Sequence, residues 1–399
     1  MSDNGSEEEQ FDLSNSDVVT KYKAAADIAN KAIAEVLAGV KVGAKVVDLC
    51  AAGDAVINAE CKLIFKNKNL GPDAKGVAFP TCISINSVVG HFCPLADDAT
   101  VLAEGDLIKI DLGVHIEGFI ATQATTQVVT SGAVNGKQAD LIAATRTCFD
   151  AALRLIRPGK KVAEVAPVLH KIAEAYGCSL VEGVMSHEMK RYIIDGNKCV
   201  LNRPTPEQKV EDVEFEENEV YAIDIVLSTG EGKPKIQDEK ATTVYKRALD
   251  QEYNLKACAH TRTHTRTHAP THPQLKASRA VFSEVNKNYP AMPFTLRALV
   301  EGAKDKDMGK QMRLGLVECL NHGLLHPYPV LHEKSTELVA QVKGTVLLMP
   351  NGSDLVTKAP VQEVTSEKKC DDADVLALLL TSIKISKKKS KKDKKEVVA

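Results

Sequence analysis

The sequence predicts an α+β fold made of two related halves, and three observations point to it. Glu104-Gly-Asp-Leu-Ile-Lys-Ile-Asp111 recurs as Glu217-Asn-Glu-Val-Tyr-Ala-Ile-Asp224, with acid, acid, apolar, apolar, Ile and Asp in the same places at an offset of 113. Upstream, Val40-Lys-Val-Gly43-Ala-Lys45-Val46-Val-Asp48 is matched by Ile156-Arg-Pro-Gly159-Lys-Lys161-Val162-Ala-Glu164 at an offset of 116. In each half a pair of segments with helical periodicity precedes strand-like segments, which implies helices packed outside a curved, largely antiparallel sheet. A duplicated unit of about 115 residues is too long for a solenoid repeat. Two such halves related by a pseudo-twofold axis bring Asp111 and Asp224 to one central cleft. Paired carboxylates in a cleft mean metal binding, general acid and base chemistry, or the remnant of either.

The elements follow in chain order. Residues 1–15 open with Asp3, Glu7, Glu8, Glu9 and Asp12 and are expected to form a disordered acidic tail. Residues 16–352 are expected to form the main domain. Ser16 and Asp17 are candidate caps of a helix with Val18, Tyr22, Ala25, Ile28, Ala29, Ala32 and Leu37 on one face, ending at Gly39. A second helix is predicted from Val46 to about Phe65, and the counterparts are Ala139 to Ile156 and Val162 to Tyr176. The strand-like segments are Val77 to Val89 and Ile108 to Val129, then Ser179 to Met185 and Val220 to Leu227. Leu107, Ile108, Ile110 and Leu112 suit a strand buried on both faces, and that strand carries Asp111 into its interior. An unpaired charge there costs several kcal/mol or is neutralised by a proton, so Asp111 needs a partner.

Residues 256–274 lack apolar periodicity, and His260, His264, His268 and His272 recur every four residues. Zinc binding of the finger type would need an upstream cysteine pair, which is missing, and Pro270 and Pro273 disfavour a continuing helix. A low-complexity loop, or a translated intron, fits the run better. Residues 281–331 are read as helical: Val281 to Tyr289, Arg297 to Ala303 and Gln311 to Leu325. A strand pair, Leu338 to Gln341 and Gly344 to Met349, is predicted before the turn signal Pro350-Asn-Gly352. Residues 353–383 form a C-terminal extension with a short helix between Asp371 and Ile383, and 384–399 a lysine-rich tail.

The formal net charge of the 399 residues is only -2, so composition alone selects no partner class; the lysine tail does. Ten cysteines without a C-x-x-C pair, and an N-terminus without an apolar signal segment, point to a reducing compartment with thiols acting as small core residues. No apolar run reaches membrane-spanning length, so no membrane insertion is expected.

Gly76-Val-Ala-Phe-Pro80-Thr81 through Asn86 to His91, Lys109-Ile-Asp111-Leu-Gly113-Val-His-Ile-Glu-Gly118, Glu219-Val-Tyr-Ala-Ile-Asp224 and Ser228-Thr-Gly-Glu-Gly232 together resemble the type 2 methionine aminopeptidases of pita-bread fold. The resemblance covers Asp17 to Gly352, and the 281–331 stretch looks like the insert of type 2 enzymes. Those enzymes hold two metal ions with two Asp, one His and two Glu, and place another His beside the substrate. The resemblance puts His91 at the substrate-side position, Asp111 at the first Asp and His187 at the ligand His. Thr122 stands at the second Asp position, Asp224 at the first Glu and Lys343 at the last Glu.

Two dications side by side need bridging carboxylates, and Lys343 and Thr122 remove two of them. A Lys343 ion pair with either Asp111 or Asp224 in a metal-free cleft is expected, leaving His91, Asp111, His187 and Asp224 vestigial and no cofactor required. The losses, the lysine tail, and the phrases TKYK, GVAFPT, MPFTLRA and TVLLMPNG resemble the proliferation-associated, ErbB-receptor-binding-protein family, a degenerate branch of those enzymes. That resemblance implies a non-enzymatic protein of cytoplasm, nucleus and nucleolus. It implies binding to RNA, the large ribosomal subunit or pre-ribosomal particles, a role in ribosome biogenesis, translation and cell growth, and protein partners in growth signalling and transcription.

Phosphate contacts are expected from Lys384, Lys387, Lys388, Lys389, Lys391, Lys392, Lys394 and Lys395, and a nucleolar signal from Lys21 and Lys23, with helix-surface lysines as the alternative for the last two. The competing readings are an active aminopeptidase with an unusual metal site, including a single metal on Asp111, His187 and Asp224, and a receptor-tail or transcription adaptor.

Overall fold

A computed structural model of the chain describes residues 11–66, 74–208, 210–249, 273–301 and 306–384. The start of the acidic tail, the four histidines of the His/Thr run and the lysines beyond Lys384 lie outside the described residues. Helix α1, Ser16–Gly39, buries the stripe Val18, Tyr22, Ala25, Ile28, Ala29 and Val36. Its cap is Asn15 rather than Ser16 or Asp17: Asn15 has extended backbone and its side chain accepts from the Asp17 N–H at 2.9 Å. Residues 11–15 are thus part of the fold instead of the disordered start, with Leu13 buried. Helix α2, Val46–Leu63, packs beside α1.

Strands β1 (Lys75–Ile85), β2 (Val88–Gly90), β3 (Leu107–Ile116) and β4 (Phe119–Val128) follow, then the second helix pair α3 (Gly136–Leu155) and α4 (Val165–Ala175). A 3-10 turn at Val162–Glu164 replaces the predicted first turn of α4. The strand predicted from Ser179 to Met185 is two, β5 (Ser179–Leu180) and β6 (Met185–Glu188), because Gly183 takes a left-handed φ of 81° between them. Strands β7 (Cys199–Leu201), β8 (Val220–Ser228), β9 (Lys235–Ile236) and β10 (Val244–Arg247) complete the second half.

The insert holds α5 (Pro273–Asn288), β11 (Phe294–Thr295), α6 (Leu296–Glu301), α7 (Lys306–Asn321), β12 (Leu325–Tyr328) and β13 (Leu331–His332). Pro273 opens α5 instead of breaking a helix, since the first helical position has no N–H to pair. The segments Leu338–Gln341 and Gly344–Met349, predicted as a strand pair, are one strand, β14 (Val339–Met349). Gly344 does not interrupt it; a Cβ there would lie 2.8 Å from the Phe149 ring, so the position is one of close packing rather than a turn. The hairpin partner lies across Pro350-Asn-Gly352 as β15 (Gly352–Leu355), and α8 (Ala373–Leu379) ends the extension.

The central sheet runs β1-β3-β4-β14-β8-β6-β7, with β15 on β14 and β5 on β8. The two helix pairs cover it with two apolar cores, one around α1 and α2 and one around α3 and α4, while the insert has its own core. Each buried Leu or Ile contributes on the order of 1.5–3 kcal/mol, which lets the centre of the sheet tolerate charged residues on its opposite, concave face.

Candidate functional site

Strand register builds the site. Asp111 on β3 pairs with Ala124 on β4, Ala124 with Lys343 on β14, and Lys343 with Asp224 on β8. Residues directly opposite across antiparallel strands point to the same face, so one row carries Asp, Ala, Lys, Asp in line. The small Ala124 leaves room for Lys343 and Asp111 to meet above it. Lys343 Nζ lies 2.6 Å from Asp111 Oδ2 and 3.0 Å from Asp224 Oδ2, with side-chain exposures of 9, 5 and 12%. It pairs with both carboxylates, not with one of them as expected. The echoed strands of the two halves therefore do meet, through a lysine from a third strand.

The remaining contacts follow from the same alternation. Thr122 and Gln341, two residues from Ala124 and Lys343, share the face; Gln341 Nε2 donates to Asp224 Oδ1 at 2.9 Å. Asp224 N–H donates to Ser186 Oγ at 2.9 Å. His187 on β6 sits opposite Ala222 and joins the same wall. A cavity of about 350 Å³ is bounded by Phe79, His91, His187, Tyr328, Asp224 and Lys343. Its rim carries an unforeseen cluster, Asp195 bonded to Lys246 Nζ at 2.6 Å and to Tyr328 Oη at 2.8 Å. Gln341 had a sequence signal, its spacing of two from Lys343; the Asp195 cluster had none, because its members are far apart in the chain.

Burial disfavours the Lys343 ammonium, but Asp111 and Asp224 outweigh it and hold its pKa above the usual lysine value. Burial lowers the His91 pKa to about 4, with Lys343 adding to the effect, so its imidazole is neutral at physiological pH. Burial likewise lowers His187. His91 adopts a left-handed φ of 66° and its Nδ1 lies 3.3 Å from the Pro329 carbonyl, with the ring between Phe79 and Tyr328.

A dinuclear metal centre does not fit these residues. The ammonium of Lys343 stands between the two carboxylates that remain, and Thr122 supplies a hydroxyl where a second charged bridge is needed. Among the described residues, no three His, Cys, Asp or Glu side chains come together in a group able to hold a metal ion. Two buried polar atoms of the cleft, Thr122 Oγ1 and Gln341 Oε1, have no hydrogen-bond partner among the described residues.

The basic residues singled out from sequence lie elsewhere. Lys21 Nζ pairs with Glu117 at 2.8 Å and is only 12% exposed. Lys23, 52% exposed, pairs with Asp354 at 3.2 Å. Lys384 pairs with the same carboxylate at 3.6 Å and bridges Gly352 through its backbone, which ties the first lysine of the tail to the sheet edge.

Two halves sharing one sheet, with a cleft where their echoed strands meet, define the pita-bread fold of the methionine aminopeptidases. The sequence profile of metallopeptidase family M24 matches residues 20–244. ErbB-3 binding protein 1 of Solanum tuberosum is 52% identical over 396 residues, 99% of this chain and 95% of that protein. A curved DNA-binding protein of Schizosaccharomyces pombe is 36% identical over 391 residues, 96% of this chain and 95% of that one. The solved structure of a thermophilic Arx1 superposes with a TM-score of 0.79 at 27% identity, covering 93% of this chain and 99% of that one. The chain belongs to metallopeptidase family M24, in its methionine-aminopeptidase-like branch of proliferation-associated, ErbB-3-binding-type proteins.

Proposed function

We propose that the chain is a non-catalytic methionine-aminopeptidase-like protein that binds RNA and ribosomes and so regulates ribosome biogenesis, translation and cell growth. The loss of catalysis rests on one observation: the Lys343 ammonium, 2.6 and 3.0 Å from Asp111 and Asp224, neutralises the carboxylates that would have to bridge two metals. The nucleic-acid part rests on the family resemblance and on the lysines of residues 384–399, and the name of the Schizosaccharomyces pombe relative supports it. Lysines neutralise phosphates without reading bases, so structured RNA on a particle surface suits this tail better than a defined sequence. With no Trp and 4% aromatic residues, the chain is poorly equipped to stack single-stranded bases. Residence in cytoplasm, nucleus and nucleolus, and protein partners in growth signalling and transcription, go with the same reading.

The cleft retains a use in it. Two carboxylates against one ammonium leave a net negative charge, and Phe79, Val89, Ile194 and Val226 line the walls. A peptide N-terminus with a small apolar side chain, its ammonium against the Asp224 carboxylate on the cavity wall, suits that cavity without being cut.

The test is co-sedimentation with ribosomes across a salt series, for the full chain and for the full chain with the seven lysines from Lys387 to Lys395 changed to glutamine, with metal content read on the same preparation. The expected result is salt-sensitive binding weakened by the substitutions, and less than one metal ion per chain. Two metal ions per chain together with release of N-terminal methionine from a peptide would overturn the non-catalytic reading. Binding unchanged by the substitutions would remove the tail from it.

A further inference from the structure

A second cavity, of about 240 Å³, lies at the seam between the main domain and the insert, where residues 288–295 meet α2, β1 and β3. A cavity of about 150 Å³ is enough for benzene, so this one holds a single ring with a small substituent and little more. Its walls suit a ring. Tyr192 stands on one side, and the backbone fixes it there: it takes a left-handed φ of 62°, its N–H donates to the Gly118 carbonyl at 2.8 Å, and a Cβ at Gly118 would lie 2.6 Å from its ring. Backbone strain of this kind is kept where the position of a side chain matters. The insert supplies Met292, Pro290, Pro293 and Tyr289, whose ring stacks on Phe294 with centroids 5.0 Å apart. Ring edges and a thioether favour an aromatic occupant over an aliphatic one of the same volume.

The polar groups narrow the choice further. His115, 4% exposed, lines the cavity, and its ring makes no hydrogen bond among the described residues. Burial lowers its pKa to about 4, so at physiological pH the imidazole is neutral and offers a hydrogen bond without a charge. The formal charges of the lining are engaged. Asp54 accepts from the Thr81 N–H and pairs with Arg297, each at 2.8 Å, and Lys75 Nζ donates to the Ile64 carbonyl at 2.7 Å. What stays open is one neutral hydrogen-bonding group inside an aromatic enclosure.

We propose that this cavity binds a small neutral phenol, with its ring between Tyr192 and Met292 and its hydroxyl on the His115 imidazole. Nothing in this proposal draws on the cleft or on RNA binding, and it stands if either of those readings fails.

The probe is 4-fluorophenol, titrated against the full chain by fluorine NMR, with fluorobenzene, 4-fluorobenzoate and N-acetyltyrosinamide as comparators. A ligand of this size is expected to bind with a Kd on the order of 1 mM. Fluorobenzene, which lacks the hydroxyl, is expected to bind about tenfold more weakly, and His115→Leu to abolish that difference. Asn58→Trp, at an exposed position of the lining, fills the space and is expected to weaken 4-fluorophenol about tenfold. Urea midpoints close to that of the unsubstituted chain show that the variants are folded; should His115→Leu not fold, Asn58→Trp decides. Absence of binding, equal affinity in folded Asn58→Trp, or a hydroxyl preference that survives in folded His115→Leu overturns the proposal. Tighter binding of 4-fluorobenzoate overturns it by making Lys75 the recognising group, and tighter binding of N-acetyltyrosinamide by making the occupant a tyrosine of a partner protein.

Discussion

The strand pair β14–β15 carries two charge triads that are mirror images of one another. At its middle one lysine, Lys343, sits between two aspartates at 2.6 and 3.0 Å. At its far end one aspartate, Asp354, sits between two lysines, Lys23 at 3.2 Å and Lys384 at 3.6 Å. The stoichiometry is the same with the signs exchanged, but the exposures are not: 9, 5 and 12% at the centre, 52, 29 and 64% at the edge. Water screens the edge and is excluded from the centre, so the two triads differ in what their removal does rather than in what they look like.

Breaking the central triad has the largest expected effect. Lys343→Met leaves Asp111 and Asp224 facing one another in a dry cleft, and stability falls by about 3–5 kcal/mol, read from urea unfolding. Adding Asp111→Asn and Asp224→Asn to Lys343→Met removes the repulsion and returns a large part of that loss. A loss below about 1 kcal/mol for Lys343→Met alone would show the centre to be as screened as the edge.

Acid approaches the same comparison from the side of the neutral groups. Burial lowers the pKa of His115 to about 4, against about 6.5 for an unfolded histidine. The unfolded chain therefore takes up the proton first, and this contribution is complete above pH 6.5 and is lost as pH falls toward 4. At pH 5 that loss amounts to about 2 kcal/mol for His115, which is 4% exposed. His91 acts in the same sense. Asp111, whose pKa burial raises, acts in the opposite one. The variant His115→Leu separates them: its urea midpoint shifts less between pH 7.5 and pH 5 than that of the unsubstituted chain. An equal shift in both would mean that His115 is solvated in the folded state.

The two central carboxylates are themselves unequal. Asp224 accepts from Gln341 at 2.9 Å as well as from Lys343, whereas Asp111 has its short contact with Lys343 and only a weaker approach of Gln341. Asp224→Asn is accordingly expected to cost about 1 kcal/mol more than Asp111→Asn, one charge-assisted hydrogen bond being the difference. Equal costs in paired unfolding curves would make the halves energetically symmetric, as their sequence echo alone suggests.

That asymmetry marks how far the sequence is informative. The repeated Ile-Asp strands were legible because duplication leaves the same residues in the same order, and Lys343 was legible as a cation in a place requiring a carboxylate. The double pairing of Lys343 was not, because it depends on β14 lying between β4 and β8, strands that precede Lys343 by 219 and 119 residues at the paired positions. Helix stripes gave the four main helices to within a few residues, since each stripe is a local pattern. Local exceptions were missed where tertiary contact decides: Asn15 as a cap, Gly344 packed in mid-strand, and the break at Gly183.

The edge triad gives the smallest effect and the finest control. Asp354→Asn removes the acceptor shared by Lys23 and Lys384, and for exposed pairs of this kind a change of at most about 0.5 kcal/mol is expected. It should shrink further in high salt, whereas the Lys343→Met loss should hardly respond, because a Debye length of about 8 Å at physiological ionic strength acts on solvated charges and not on a buried row. The same substitution frees Lys384 at the root of the tail while stability barely moves. A salt-insensitive loss above about 1 kcal/mol for Asp354→Asn would mean that the extension docks over Asp354 and dries it, and burial would no longer distinguish the two triads.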